Sequence, residues 1–185
     1  MKDPKIYLDV DGCLNPWRAS LNHVREWNDY VQQELNGYPV WTSKQLGAYL
    51  LGLGVEIVWA TTWVVDDLAN THISEPHGFP TTMDCIVYDP WALGEDLDEL
   101  YIPESECGKG PGVVNHAGDH PVIWIDDCLG PNDEQMMKDR GDGIPYLLIR
   151  PNPDTGITRK DIAAMSLFIA ACRNDDFEWI GTNGK

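Results

Sequence analysis

Lys5-Ile6-Tyr7-Leu8-Asp9-Val10-Asp11-Gly12-Cys13-Leu14-Asn15-Pro16 is the stretch around which the chain is organised. An apolar run ends in two carboxylates one residue apart, and a glycine and an Asn-Pro pair then turn the chain. Residues i and i+2 of a strand share a face. Asp9 and Asp11 are therefore expected at one site beyond the carboxyl end of a first strand, with Gly12 allowing close backbone approach. In open α/β sheets that edge is where ligands bind. Asp-x-Asp-Gly is also an ordinary acidic turn, so the rest of the chain has to decide between the two readings.

Two neighbouring carboxylates repel each other and any anionic substrate. A divalent cation relieves both problems, and hard oxygen ligands suit magnesium. A carboxylate beside such an ion is also competent to attack phosphorus. The same pattern returns at Val122-Ile123-Trp124-Ile125-Asp126-Asp127, again an apolar run ending in paired acids. Buried acidic pairs are costly without a cation. Two pairs at the ends of two buried strands argue for a shared metal more strongly than either alone.

The chain has 185 residues, 13 basic and 30 acidic side chains and a net charge of −17. The length suits a single domain, 1–185, with a core over about 5–172 and a polar tail from 173 to 185. The charge disfavours long contacts with a nucleic-acid backbone but leaves room for a pocket holding one terminal phosphate. No apolar stretch reaches membrane-spanning length, so no membrane partner is expected. The five cysteines are odd in number and scattered, without a Cys-x-x-Cys pair. That points away from disulfides and zinc and toward a cytoplasmic setting.

Between the two acidic pairs the order alternates. A helix is expected from Ser20 to Leu35, closed by Gly37 and Pro39, and a second from Ser43 to Leu53 with Ser43 as its N-cap. Val55–Ala60 reads as a buried strand ending in Thr61-Thr62-Trp63, where one threonine suits a helix cap and the other a phosphoryl oxygen. Residues 64–70 read as helical and Cys85–Tyr88 as a short strand. Lys109 is the only lysine or arginine between Trp63 and Asp127. It is either a loop lysine or the cation of a phosphate site. Helices are expected over Asn132–Arg140 and after Thr158, where Asp161 makes a capping box and Ile162, Met165, Leu167, Phe168 and Ile169 face the core. Tyr146–Ile149 is a further strand.

Asp9-Val10-Asp11-Gly12, Thr61, Lys109 and Asp126-Asp127, in that order at strand ends, resemble the four motifs of the haloacid dehalogenase-like (HAD) phosphohydrolases. Leu14-Asn15-Pro16 and the stretch from Trp59 through Thr62-Trp63 to Asn70 resemble the branch found in nucleic-acid repair phosphatases. The resemblance implies an α/β Rossmann-like three-layer sandwich with a mostly parallel sheet of about five strands. It further implies that Asp9 is the nucleophile of an aspartyl-phosphate, that Asp11 is the general acid and base, and that Thr61 and Lys109 hold phosphoryl oxygens. Magnesium would sit among Asp9, Asp11 through its carbonyl, Asp126 and Asp127, either of the last two being the direct ligand. Thr62, Arg18 and Trp63 are the expected substrate contacts. Cys13 departs from the pattern, as threonine or a small aliphatic is frequent there. Lys109 departs too, since its Gly-Lys-Gly setting does not mark a helix start. His72, His77, His116 and His120 are read as surface or structural.

The intervals between motifs leave little room for a cap, so the site should be open or covered only by Arg18 and a flap at Pro16-Trp17. Open sites suit polynucleotide ends, and Trp17, Trp63 and Trp91 offer faces on which a base stacks. The expected activity is magnesium-dependent hydrolysis of a phosphomonoester, on a nucleotide, as a nucleotidase would, or on a 5′ or 3′ nucleic-acid end. A small-metabolite phosphatase is the alternative, favoured by the acidity; a basic patch from Arg18, Lys44, Arg150, Arg159 and Lys160 would favour nucleic acid. The third reading is a non-catalytic binding module. No obligate protein partner is evident.

Overall fold

The computed structural model describes residues 1–18, 26–86, 107–141 and 143–174. In chain order the elements are β1 (Lys5–Leu8), β2 (Val31–Leu35), β3 (Tyr38–Thr42), α1 (Lys44–Leu51), β4 (Glu56–Trp59), α2 (Ser74–His77), α3 (Gly110–Ala117), β5 (Val122–Ile125), α4 (Pro131–Asp139), β6 (Tyr146–Ile149) and α5 (Arg159–Asn174). The apolar strands β1, β4, β5 and β6 form one parallel sheet in the order β4-β1-β5-β6. Strands buried on both faces read as continuous apolar runs, as the central pair β1 and β5 do.

Alternate residues of these strands feed two cores. Ile6, Leu8, Ile57, Trp59, Ile123 and Ile125 pack with α1 and α5 on one face. Tyr7, Val58, Val122 and Trp124 pack with α3 and α4 on the other. The result is a three-layer α/β sandwich. The chain steps from β1 to β4 on one side and from β5 to β6 on the other, so the strand order reverses between β1 and β5. A crevice at the carboxyl ends of these two strands is the expected ligand site of such a sheet. Leu8 is level with both Trp59 and Ile125, and Ile125 with Ile149. The residues that follow, Asp9, Ala60, Asp126 and Arg150, therefore emerge along one edge.

Four expectations change. The helix expected over Ser20–Leu35 is not formed in its described part: Val31–Leu35 and Tyr38–Thr42 make an antiparallel hairpin instead. Its turn is Asn36-Gly37, at φ +50 and +80, and two such residues between strands strongly specify a two-residue hairpin turn. Residues 19–25 lie outside the described region. The segment after β4 is not a regular helix. A 3₁₀ segment Thr62–Asp67 breaks at Val65 and Asp66, a π-helical turn Ala69–Ile73 follows, and α2 completes it.

The strand expected at Cys85–Tyr88 is represented by one parallel bridge between Cys85 and Trp59, with Val87 and Tyr88 outside the described residues. Leu167 is exposed, because the buried stripe of α5 runs through Ile162, Met165, Phe168, Ile169 and Cys172 and leaves it off that face. The capping box does form: the Thr158 N–H donates to Asp161 Oδ2 (2.8 Å), and the Asp161 N–H reaches back to Thr158 Oγ1 (3.4 Å).

Candidate active site

Asp9 continues β1 for one more rung, its N–H donating to the Ile125 carbonyl (3.0 Å), and Asp126 does the same from β5 to the Ile149 carbonyl (3.1 Å). Adjacent parallel strands thus deliver two carboxylates side by side, both buried. Lys109 stands immediately before α3 and reaches between them. Its Nζ lies 3.0 Å from Asp9 Oδ1 and donates to Asp126 Oδ2 at 2.7 Å. Asp126 Oδ1 accepts the Cys128 N–H (2.9 Å). The Gly-Lys-Gly context proves to be a helix start after all, with Gly110 and Pro111 opening α3.

The charges perturb one another. Burial raises the Asp9 carboxyl, Lys109 pulls it back and Asp126 adds to the rise. Burial works against the Lys109 ammonium, but Asp9 and Asp126 outweigh it and hold its pKa above the ordinary lysine value. Asp127 is raised by its partial burial and then by Asp126.

Asp11 faces another way. Its two oxygens accept from Asn15 Nδ2 (2.8 Å) and from the Trp63 indole Nε1 (2.9 Å). Asn15 in turn accepts the Trp41 N–H of β3 at 2.9 Å. The hairpin, the first turn and the segment after β4 therefore meet at one carboxylate. Asp11 lines a cleft of about 360 Å³ whose other walls are the hairpin and residues Thr62, Trp63 and Leu68. A second cleft, lined by Asp127, Cys128, Arg150 and the 151–153 loop, shares no residue with the first.

A model of the HAD domain in Swiss Army Knife RNA repair proteins matches residues 5–162. The chain belongs to that family. No curated protein and no solved structure gives a significant match. The family places this HAD domain in a superfamily of phosphohydrolases.

The carboxylates of the HAD domain suit a hard cation. Asp9 and Asp126 share the ammonium of Lys109 and Asp127 stands beside them, which leaves negative charge to compensate among the described residues. Ligand atoms of Asp9, Cys13 and Asp127 lie within 4.8 Å of one another, as do those of Asp126, Asp127 and Cys128, so Asp127 is common to both groups. Burial, then the surrounding aspartates, push the Cys13 thiol well up, which keeps it protonated and leaves the oxygens as donors. Gly12, at φ +70, is where the first loop passes Asp127: a Cβ there would sit 2.5 Å from Asp127 Cγ.

The other expected residues divide. Thr61 is buried and its Oγ1 accepts the Trp63 N–H at 3.4 Å as the N-cap, while Thr62 lines the cleft. Arg18 pairs with Asp154 (3.2 Å) and lines neither cleft. Trp17 is exposed, and Trp91 lies outside the described residues. Arg159 pairs with Glu26 and lies over Trp27, while Arg150 lines the second cleft. Three of the histidines have structural positions: His116 hydrogen-bonds Tyr7, His120 the Asp3 carbonyl, and His77 is fully buried; His72 is half-buried.

Sequence reasoning missed Asn15 as an Asp11 contact, although an amide four residues after the acid was in view. It also missed the hairpin as the wall of the cleft, in place of a flap at Pro16-Trp17. Gly156 was missed as well: at φ +68 it passes so near the first loop that a Cβ would meet the Cys13 carbonyl oxygen at 2.4 Å.

Proposed function

We propose that the chain is a magnesium-dependent phosphomonoesterase acting on nucleotides or on nucleic-acid phosphate ends. The observation that carries this reading is the division of labour between the two aspartates. Asp9 is packed against Lys109 and Asp126, and Asp11 is held at the edge of an open cleft. An Asp9 oxygen attacks phosphorus; the bond from phosphorus to the leaving oxygen breaks with its electron pair on that oxygen, and Asp11 supplies the proton. Water then attacks the aspartyl-phosphate, Asp11 takes its proton, and the bond from phosphorus to Asp9 breaks to release inorganic phosphate.

Lys109 offsets charge on Asp9 and on the phosphoryl oxygens, and the Thr61 hydroxyl, which keeps its proton for donation, contributes a further contact. Asp9, Asp127 and the Asp11 carbonyl would hold magnesium, which supplies charge neutralisation at the phosphoryl group. Asp126 serves mainly to fix Lys109.

The test is phosphate release from an aryl phosphate, with magnesium and with chelator, in the intact protein and in Asp9→Asn. Magnesium-dependent turnover that Asp9→Asn abolishes is the expected result. Absence of turnover on that substrate and on a panel of nucleotides and phosphorylated oligonucleotides would leave a binding module in its place.

A further inference from the structure

The cleft beside Asp11 has a composition that selects its occupant. Tyr38, at the end of the hairpin turn, is 62% exposed, and its ring stands edge-on to Trp63 with centroids 6.1 Å apart. Both rings line the cleft, with Pro39, Val40 and Leu68 supplying apolar surface. The edge-on contact with Trp63 leaves most of the Tyr38 ring open to solvent, and an aromatic face beside a cleft offers a stacking platform. Asn36, held at φ +50 by the turn, places a neutral amide at the rim. Among the described residues no lysine or arginine lines this cleft. Its volume of about 360 Å³ is at the small end of the range for small-molecule sites, room for one ring system.

We infer that this cleft binds the nucleoside of the nucleotide whose phosphate is removed, its base against Tyr38 and Trp63. The inference rests on the proposed role of Asp11. If Asp11 protonates the leaving oxygen, whatever carries that oxygen lies on the Asp11 side of the site, and that side is the aromatic cleft. A second phosphate there would meet no lysine or arginine among the described residues and would face the Asp11 carboxylate. The occupant is therefore a neutral ring system attached through a single phosphate. A free mononucleotide and the terminal nucleotide of a strand share this chemistry. Trp63 has two tasks in this arrangement, one face for the base and the indole N–H for Asp11.

The experiment compares kcat/KM for adenosine monophosphates with that for glycerol phosphate, in the intact protein and in Tyr38→Ala and Tyr38→Phe. The expected preference for the nucleotide falls about tenfold in Tyr38→Ala, as removal of a stacking ring does, and is restored in Tyr38→Phe. A short RNA bearing a terminal phosphate, assayed alongside, separates the two sources: retention of the Tyr38 effect on the mononucleotide alone assigns the cleft to free nucleotides, and retention on both admits strand ends. No preference for nucleotide over glycerol phosphate, or a preference that Tyr38→Ala leaves intact, overturns the inference while the phosphatase reading stands. If no phosphomonoester is turned over, that reading fails instead. Equilibrium binding of adenosine monophosphate to the protein, weakened by Tyr38→Ala, then supports the cleft assignment, and undiminished or undetectable binding overturns it.

Discussion

The indole N–H of Trp63 donates to Asp11 Oδ2 at 2.9 Å across 52 residues of sequence. Asn15 holds the other oxygen, so the carboxylate has little freedom to rotate. A hydrogen bond to a charged group contributes about 1.5–3 kcal/mol. Trp63→Phe keeps an aromatic wall and removes the donor. Turnover is expected to fall by roughly tenfold or more on alkyl phosphates. The loss should be smaller on a nitrophenyl phosphate, whose leaving group needs no proton. Equal losses on both substrates would mean that Trp63 does not act through Asp11.

Lys109 lies between two buried acids. Removing one partner of a buried charge cluster costs about 3–5 kcal/mol, because the remaining charges stay unpaired. Lys109→Met should lower Tm by roughly 10 °C in a chain of this size and abolish turnover. Lys109→Met/Asp126→Asn, which leaves one fewer unpaired charge, should be more stable than Lys109→Met alone. Thermal unfolding of the three proteins measures this, and a double variant less stable than the single one would refute the ion-pair account.

Magnesium should raise Tm, since a ligand that binds only the folded chain stabilises it by mass action. Asp127→Asn should remove most of that rise. Gly12→Ala should as well, because the added methyl would displace Asp127 and the backbone at φ +70 resists any side chain. Magnesium titrations followed by thermal shift read this without any assay of activity.

His77 is fully buried behind α1, its Nδ1 3.0 Å from the Ile73 carbonyl. Burial lowers its pKa to about 4, against which the Ile73 and Leu14 carbonyls and Asp29 work only partly. The unfolded chain then binds more protons than the folded one between about pH 4 and pH 6.5, so stability falls as pH drops through that window, by on the order of 3 kcal/mol. Asp9, whose carboxyl is raised by burial, has the opposite sign in an overlapping range. The informative quantity is therefore the difference between the intact protein and His77→Gln in urea unfolding at pH 7 and pH 4.5. The intact protein should lose more stability on acidification than the variant does.

The strands that carry the site were legible because each is an uninterrupted apolar run ended by chemistry, Asp9 after Leu8 and Asp126 after Ile125. Burial on both faces leaves such runs no alternative. The hairpin escapes a sequence reading because Leu21, Val24, Trp27, Tyr30, Val31 and Leu35 have helical spacing, and Gly37 with Pro39 then reads as a helix end although Asn36-Gly37 is a two-residue turn signal. The turn carries more information here, since it fixes backbone conformation directly. Long-range pairings were out of reach for a different reason: neither the Trp63 bond to Asp11 nor the seat of Lys109 between Asp9 and Asp126 leaves a local pattern. The close approach of Gly156 to Cys13 is hidden in the same way, as a glycine in a loop does not announce what it passes.

The central claim is that Asp9 is the group that takes the phosphoryl. The direct measurement is acid quench of the protein during turnover of a ³²P-labelled mononucleotide, followed by peptide mapping. The account predicts a hydroxylamine-labile label on the peptide containing Asp9, and neither label nor phosphate release in Asp9→Asn. Phosphate released by Asp9→Asn at the rate of the intact protein, with no labelled peptide in either, would contradict it.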